Sequence, residues 1–265
     1  MTGTPTRSPS ADAELRKLAH SLGVDVARLS MLDGMPGEDV RALRHQIGDA
    51  LFRADKHYFA RLAALSRSVP TAVAAKLTET VLPPLIAART AELLEPRKAA
   101  DLVARISPAY LADVSAAMDA SRSPEVIAAI PPDRVASVGA ELARRGEWVV
   151  IGGFVSQVTD EALARSVAGF DGEQLLRIGY VLDDVGRLDR ISELLTDAQV
   201  DELLAAAPAH GLWPEVADLL RHLGDAHRAR LRERYAGLPD AVRAGYAAAV
   251  SAGGLDAGTL ALLTG

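Results

Sequence analysis

Leu94-Glu95-Pro96-Arg97-Lys98-Ala99-Ala100 and, twelve residues on, Ile106-Ser107-Pro108-Ala109-Tyr110-Leu111-Ala112 state one phrase twice: an apolar residue, a small or acidic one, a proline, then an amphipathic run. Arg122-Ser123-Pro124-Glu125-Val126-Ile127 and Ile130-Pro131-Pro132-Asp133-Arg134-Val135-Ala136 state it again. Proline suits the first position of a helix, where its missing N–H has no intrahelical partner to lose and its fixed φ already fits the turn. Such a phrase recurring along the chain predicts short helices stacked in series.

The pattern extends in both directions. Upstream, Ser10 is placed as an N-cap, with Asp12 and Glu14 in a first turn and a helix that ends at Gly23. A second short helix is expected over Val26 to Leu32, followed by a turn from Asp33 to Gly37. Val40, Leu43, Ile47, Leu51, Tyr58, Leu62 and Leu65 recur at helical spacing and predict one long amphipathic helix from Asp39 to Leu65. A further helix after Pro70 should break at Pro83-Pro84 and resume to Leu94. Downstream, Val158-Thr159-Asp160-Glu161 and Leu195-Thr196-Asp197-Ala198 replace the proline with a capping hydroxyl and an acid, and Phe170-Asp171-Gly172-Glu173 opens another helix. An interruption at Asp184 to Arg187 and punctuation at Pro208 to Pro214, Gly224, Gly237-Leu238-Pro239 and Gly253-Gly254 complete the chain. Two helices per unit put the period between about twenty-four and thirty-odd residues, the range of stacked helical arrays. Trp148-Val149-Val150-Ile151-Gly152-Gly153-Phe154-Val155 reads as a buried helix with close contact at its glycines, the competing reading being an isolated strand.

The predicted fold is therefore all-α: a right-handed superhelical array of short helices with an N-terminal helical cap. The expected organisation is a disordered tail over residues 1–10, a helical region over 11–66 and the repeat domain over 67–265. Apolar residues make up 49% of the chain and aromatic ones only 4%, so Ala, Leu, Val and Ile must build the core. A net charge of −6 and an isoelectric point near 5.6 argue against a protein that coats nucleic acid or anionic membrane. There is no cysteine, which removes disulfide and thiolate chemistry and suits a reducing cytosol. The N-terminal residues carry no apolar signal-peptide core, and the longest apolar run is the eight residues from Trp148 to Val155, far short of the roughly twenty that cross a bilayer.

Leu94-Glu95-Pro96-Arg97-Lys98-Ala99-Ala100-Asp101-Leu102-Val103, with Ile106-Ser107-Pro108 and Ile130-Pro131-Pro132-Asp133, resembles the intracellular N-terminal domain of MgtE-type magnesium transporters, and is similar to the related middle region of the flagellar motor protein FliG. The similarity covers residues 93–145, with weaker echoes to about residue 205. It implies a right-handed superhelix of short helices and carries no chemistry, because its residues are caps and core positions. Transporters of that type continue into regulatory nucleotide-binding-like modules and a membrane channel. This sequence holds neither, so the resemblance implies neither transport nor a metal ligand.

Candidate chemistry is sparse. Asp183-Asp184 with Asp189 is the densest acidic site and offers oxygens for a hard cation, against an ordinary turn reading in which Asp183 and Arg187 pair four residues apart. The six histidines, His20, His45, His57, His210, His222 and His227, show no His-x-x-x-His spacing. No Gly-x-Ser-x-Gly elbow or phosphate-binding glycine loop occurs, so neither catalysis nor a cofactor is expected. Leu18 to Ser30 is similar to a helix-turn-helix that would put Asp25 to Leu32 in a major groove, although only Arg28 there is suited to a guanine edge. The run Arg221 to Arg234, with Arg221, Arg228 and Arg230, is locally basic and is the best electrostatic docking patch. Trp148, Phe154, Phe170, Tyr180 and Trp213 stand out because aromatics are scarce, and any exposed one would anchor a partner. The expected role is a non-catalytic scaffold that binds another protein or a second copy of itself, with Trp148, Tyr180, Asp183, Asp184, Trp213, Arg221, Arg228 and Arg230 as contact residues. A DNA-binding regulator and a magnesium-responsive module are the alternatives.

Overall fold

The computed structural model describes residues 9–66 and 68–265, and the tail expected over residues 1–10 lies outside them as far as residue 8. All regular structure among the described residues is helical. Contacts divide the chain into two compact units, the first ending at Arg165 and the second running from Ser166 to Gly265.

In the first unit, α1 (Pro9–Leu22) and α2 (Gly37–Ser66) form a hairpin around the 3₁₀ segment Val26–Leu32. Gly23 ends α1 with a φ of 64°, a conformation that glycine reaches without a Cβ clash. Helix α1 starts at Pro9, so Ser10 lies inside the first turn instead of capping it. The hairpin buries Leu15, Leu18, Ala19, Leu29 and Val40. Then follow α3 (Thr71–Val81), α4 (Pro84–Ala91), α5 (Pro96–Val103), α6 (Pro108–Ala116), a 3₁₀ turn Ala120–Arg122, α7 (Pro124–Ala128), α8 (Pro132–Arg144) and α9 (Trp148–Val155). Four of these helices begin on prolines of the sequence phrase, Pro96, Pro108, Pro124 and Pro132, and α4 begins on Pro84, at the expected break. Trp148–Val155 is a helix, as expected.

Packing skips one helix at a time. Helix α2 lies against α4, α4 against α6 and α6 against α8, while α3 lies against α5 and α5 against α7. Consecutive short helices thus alternate between two rows, and each row grows by apolar contact with the helix two places back. Ala74, Ala75, Leu102, Ile106 and Leu111 fill one such junction, and Ala87, Ala88 and Val114 another.

Helix α10 (Asp160–Val167) carries the boundary, and the second unit comprises α11 (Gly172–Tyr180), α12 (Arg187–Leu194), α13 (Asp197–His210), α14 (Trp213–His222), α15 (Asp225–Ala236), α16 (Asp240–Ser251) and α17 (Ala257–Thr264). Capping boxes start α11 at Asp171 with Gln174 and α13 at Thr196 with Gln199. One row runs α11, α13, α15, α17, and α14 packs on α11, α13 and α17. Pro208, expected to interrupt, lies inside α13, which continues to His210 and ends at Gly211 with a φ of 67°.

Hydrogen bonds measure the repeat directly. The third residue of α5, Lys98, donates to the Val69 carbonyl at 3.3 Å and to Thr71 Oγ1 at 3.1 Å. At the same place in α8, Arg134 donates to the carbonyls of Val103, at 3.0 Å, and Ile106. At the third residue of α13, Gln199 donates to Val167 at 2.9 Å and Phe170 at 3.3 Å. The partners lie 27 to 32 residues back, within the period expected from the phrase. A long side chain in the first turn of one helix therefore satisfies loop carbonyls one repeat earlier.

Candidate functional site

The basic run from Arg221 to Arg234 is largely occupied by bonds within its own unit. Arg230 meets Asp197 at 2.5 Å and donates to the carbonyls of Ser192 and Leu195, and its hydrogen bond holds the Asp197 carboxyl below the ordinary range. Arg234 pairs with Asp201, and Arg228 with Asp225 at 2.7 Å. Arg221 is exposed, 3.9 Å from Asp218. Arg230 and Arg234 thus latch α15 to α13, while Arg228 pairs within its own helix, so most of the run's charge is already engaged.

The aromatic candidates divide. Tyr180 is only 6% exposed and belongs to the core of the second unit, because the apolar face of α11 turns it inward. Phe170 is buried as well. Trp213 is half-buried, its ring edge-on to Tyr246 at 5.3 Å, while Trp148 and Phe154 are half-buried on α9. In the acidic turn, Asp184 accepts from the Gly186 N–H at 3.0 Å and Asp189 from the Gly224 N–H at 2.8 Å, which is turn and capping chemistry. Asp183 is half-buried beside them. Among the described residues no group of three or more His, Asp or Glu could hold a metal ion. His20, His210, His222 and His227 each lie within 4.0 Å of one carboxylate, belonging to Glu147, Glu173, Asp218 and Asp189 respectively. No nucleophile is paired with any of these imidazoles in the contacts described. Asp49, which shares a helix face with His45, instead meets Arg122 at 2.6 Å. Val26–Leu32, the would-be groove reader, is a 3₁₀ segment whose N-cap Asp25 accepts from Ala27 and whose Leu29 is buried in the hairpin core.

The most distinctive surface is one that periodicity alone does not reveal. Val73, Leu77 and Val81 fall four residues apart on α3 and are 50%, 50% and 67% exposed, and Leu85, four residues further on at the start of α4, is 52% exposed. The residues α3 buries are Ala74 and Ala75. A surface helix normally does the reverse, turning its large apolar side chains inward. Leu65 and Tyr58 of α2 are exposed too. Only the neighbours of α3 decide that this stripe points outward.

Neither a protein-family model, nor a curated protein, nor a solved structure matches this chain. No described helix is long and apolar enough to cross a membrane.

Proposed function

We propose that this protein is a non-catalytic scaffold for protein–protein interaction, working in the cytosol and built on a helical array of the kind found in the N-terminal domain of MgtE-type transporters. The observation that carries the reading is the inverted helix α3, which buries two alanines and leaves Val73, Leu77 and Val81 in solvent. A contiguous exposed apolar face on a folded chain marks an interaction site. Paired arginines, solitary histidine–carboxylate contacts and a tightly latched repeat support the same view, since they are spent on holding the array together. Weighing against DNA recognition, the Val26–Leu32 segment commits Leu29 to the core and opens on an exposed Asp25 that would repel phosphate.

The test compares the full chain with a Leu77→Glu/Val81→Glu double variant, both confirmed as folded by circular dichroism. Native extract passed over each should give at least one protein retained by the wild type and lost by the variant. Identical eluates would sink the assignment of this face as the working surface.

A further inference from the structure

Resting on that interaction reading, we infer that α16 of a second copy of this chain packs on α3, in a head-to-tail joint that the chain already makes twice within itself. The chain carries a longer internal repeat. From α3 onward the helices recur in sets of five: α3–α7, α8–α12 and α13–α17. The first members begin at Thr71, Pro132 and Asp197, the second at Pro84, Trp148 and Trp213, and the third at Pro96, Asp160 and Asp225. Both tryptophans of the chain thus open the second helix of a set. The elbows leading into them share one backbone path, with Gly146 at φ 74° and Gly211 at φ 67°, and with Glu147 and Leu212 both at φ −83°.

In this register Val73, Leu77 and Val81 of α3 correspond to Arg134, Val138 and Leu142 of α8, and to Gln199, Leu203 and Ala207 of α13. In α8 and α13 that line is covered. Val138 joins the cluster that holds Tyr110 and Leu111 of α6, Leu142 is 4% exposed, and Arg134 bonds the carbonyls of Val103 and Ile106 at the corner before α6. Leu203 and Ala207 are buried too, and Gln199 bonds the carbonyls of Val167 and Phe170 at the corner before α11. Helix α13 lies so close to α11 that a Cβ on Gly172 would overlap the Glu202 backbone. In each case the neighbour is the fourth helix of the preceding set, α6 for α8 and α11 for α13. Helix α3 opens the first set, so no such helix precedes it among the described residues, and its line stays in water. The fourth helix of the last set is α16, and it shows the matching vacancy. The fifth residues of α6 and α11, Ala112 and Leu176, are buried, whereas the fifth residue of α16, Ala244, is exposed, as are Ala241, Ala247 and Ala248. A side lined by alanines lets another helix come close and gives the protruding Val73, Leu77 and Val81 a shallow surface to pack on. Each copy therefore carries both halves of the joint on different surfaces, and the association is heterologous.

Complementation between two variants tests the joint. Sedimentation of the intact protein should show a mass that rises with concentration. Leu77→Glu and Ala244→Glu, each folded by circular dichroism, should each associate about tenfold more weakly or worse. Mixed in equal amounts, the two variants should regain an association that stops at a pair, because the Leu77→Glu chain keeps its α16 surface and the Ala244→Glu chain keeps its α3 surface. The chain has no cysteine, so a short bis-maleimide should couple Leu77→Cys chains to Ala244→Cys chains in preference to like pairs. A wild type still monomeric at about 1 mM, full association of Ala244→Glu, a mixture that does not recover, or like pairs as abundant as mixed ones overturns the inference. A monomer that still retains an extract protein through Leu77 and Val81 fails this inference and leaves the scaffold reading standing. Self-association beside identical eluates keeps the joint and removes the foreign partner.

Discussion

Tyr246 repairs a gap that Pro208 leaves in α13. Without an N–H, Pro208 cannot bond the Leu204 carbonyl one turn back, and the fully buried Tyr246 hydroxyl donates to that oxygen instead, at 2.8 Å. Its ring is held edge-on by Trp213 and Tyr235, each centroid 5.3 Å away, and burial pushes its hydroxyl far above the ordinary range, so it remains a donor. Beside it, Gly245 lets Pro208 approach, since a Cβ there would lie 2.7 Å from the proline Cβ. Tyr246→Phe should cost about 1–3 kcal/mol in chemical denaturation by stranding a buried carbonyl, and an unchanged midpoint would refute the repair. Pro208 looked like a helix breaker in sequence because the hydroxyl that takes over its bond to Leu204 lies 42 residues beyond that carbonyl. Glu92 is a different kind of residue. Its side chain is wholly buried, with Oε1 3.0 Å from Arg89 and 3.3 Å from the Asp119 N–H, while Oε2 has no hydrogen-bond partner among the described residues. Burial pushes its carboxyl above the ordinary range, despite the opposing pull of Arg89. The folded value thus exceeds the unfolded one, so the stabilisation from protonation is present in acid and is lost as pH rises through the folded value. Glu92→Gln should melt a few degrees above wild type at neutral pH, by about 1 kcal/mol, with the gap closing near about pH 4. A gap that widens on acidification would overturn this assignment.

Among the elements, the α1–α2 hairpin is secured by buried charge. Glu14 and Lys17 are 3% and 4% exposed and 2.9 Å apart on α1, and Arg41 and Arg44 reach Glu14 from α2 at 2.9 and 3.3 Å. Burial pushes the Glu14 carboxyl up, but Lys17, Arg44 and Arg41 outweigh it and hold the group below its ordinary range. With the folded value depressed, the contribution is present above the unfolded value and disappears as pH falls through the folded one. Glu14→Gln leaves Lys17 buried without its anion and should cost about 3 kcal/mol at neutral pH, an effect that shrinks on acidification. Equal stability across the pH range would show that the cluster is idle. Sequence periodicity predicted the helices of this hairpin but placed Glu14 only as a first-turn acid, because the arginines that meet it lie 27 and 30 residues away. The same limit applies to α3, whose stripe is plain in sequence and whose orientation is not. It applies again at Gly172, where an added Cβ would overlap the Glu202 backbone, so that only glycine lets α11 and α13 approach this closely.

At the scale of the whole molecule, the chain holds two compact units whose helices stack on neighbours two or three places away, latched by side chains that reach about one repeat back. What the amino-acid order determined by itself was where helices begin and that they are short and serial. Prolines at first positions, Thr196 and Asp171 at caps and Gly23 and Gly211 at ends act within a single turn of the chain, so their effect is local and legible. Tertiary structure alone decided that Tyr180 faces inward, that the Arg230 and Arg234 charges are spent on Asp197 and Asp201, and that α3 buries alanines while showing its valines and leucine. Burial is collective: which face of an amphipathic helix leaves water depends on every neighbour that covers it, and those neighbours are roughly thirty residues distant along the chain.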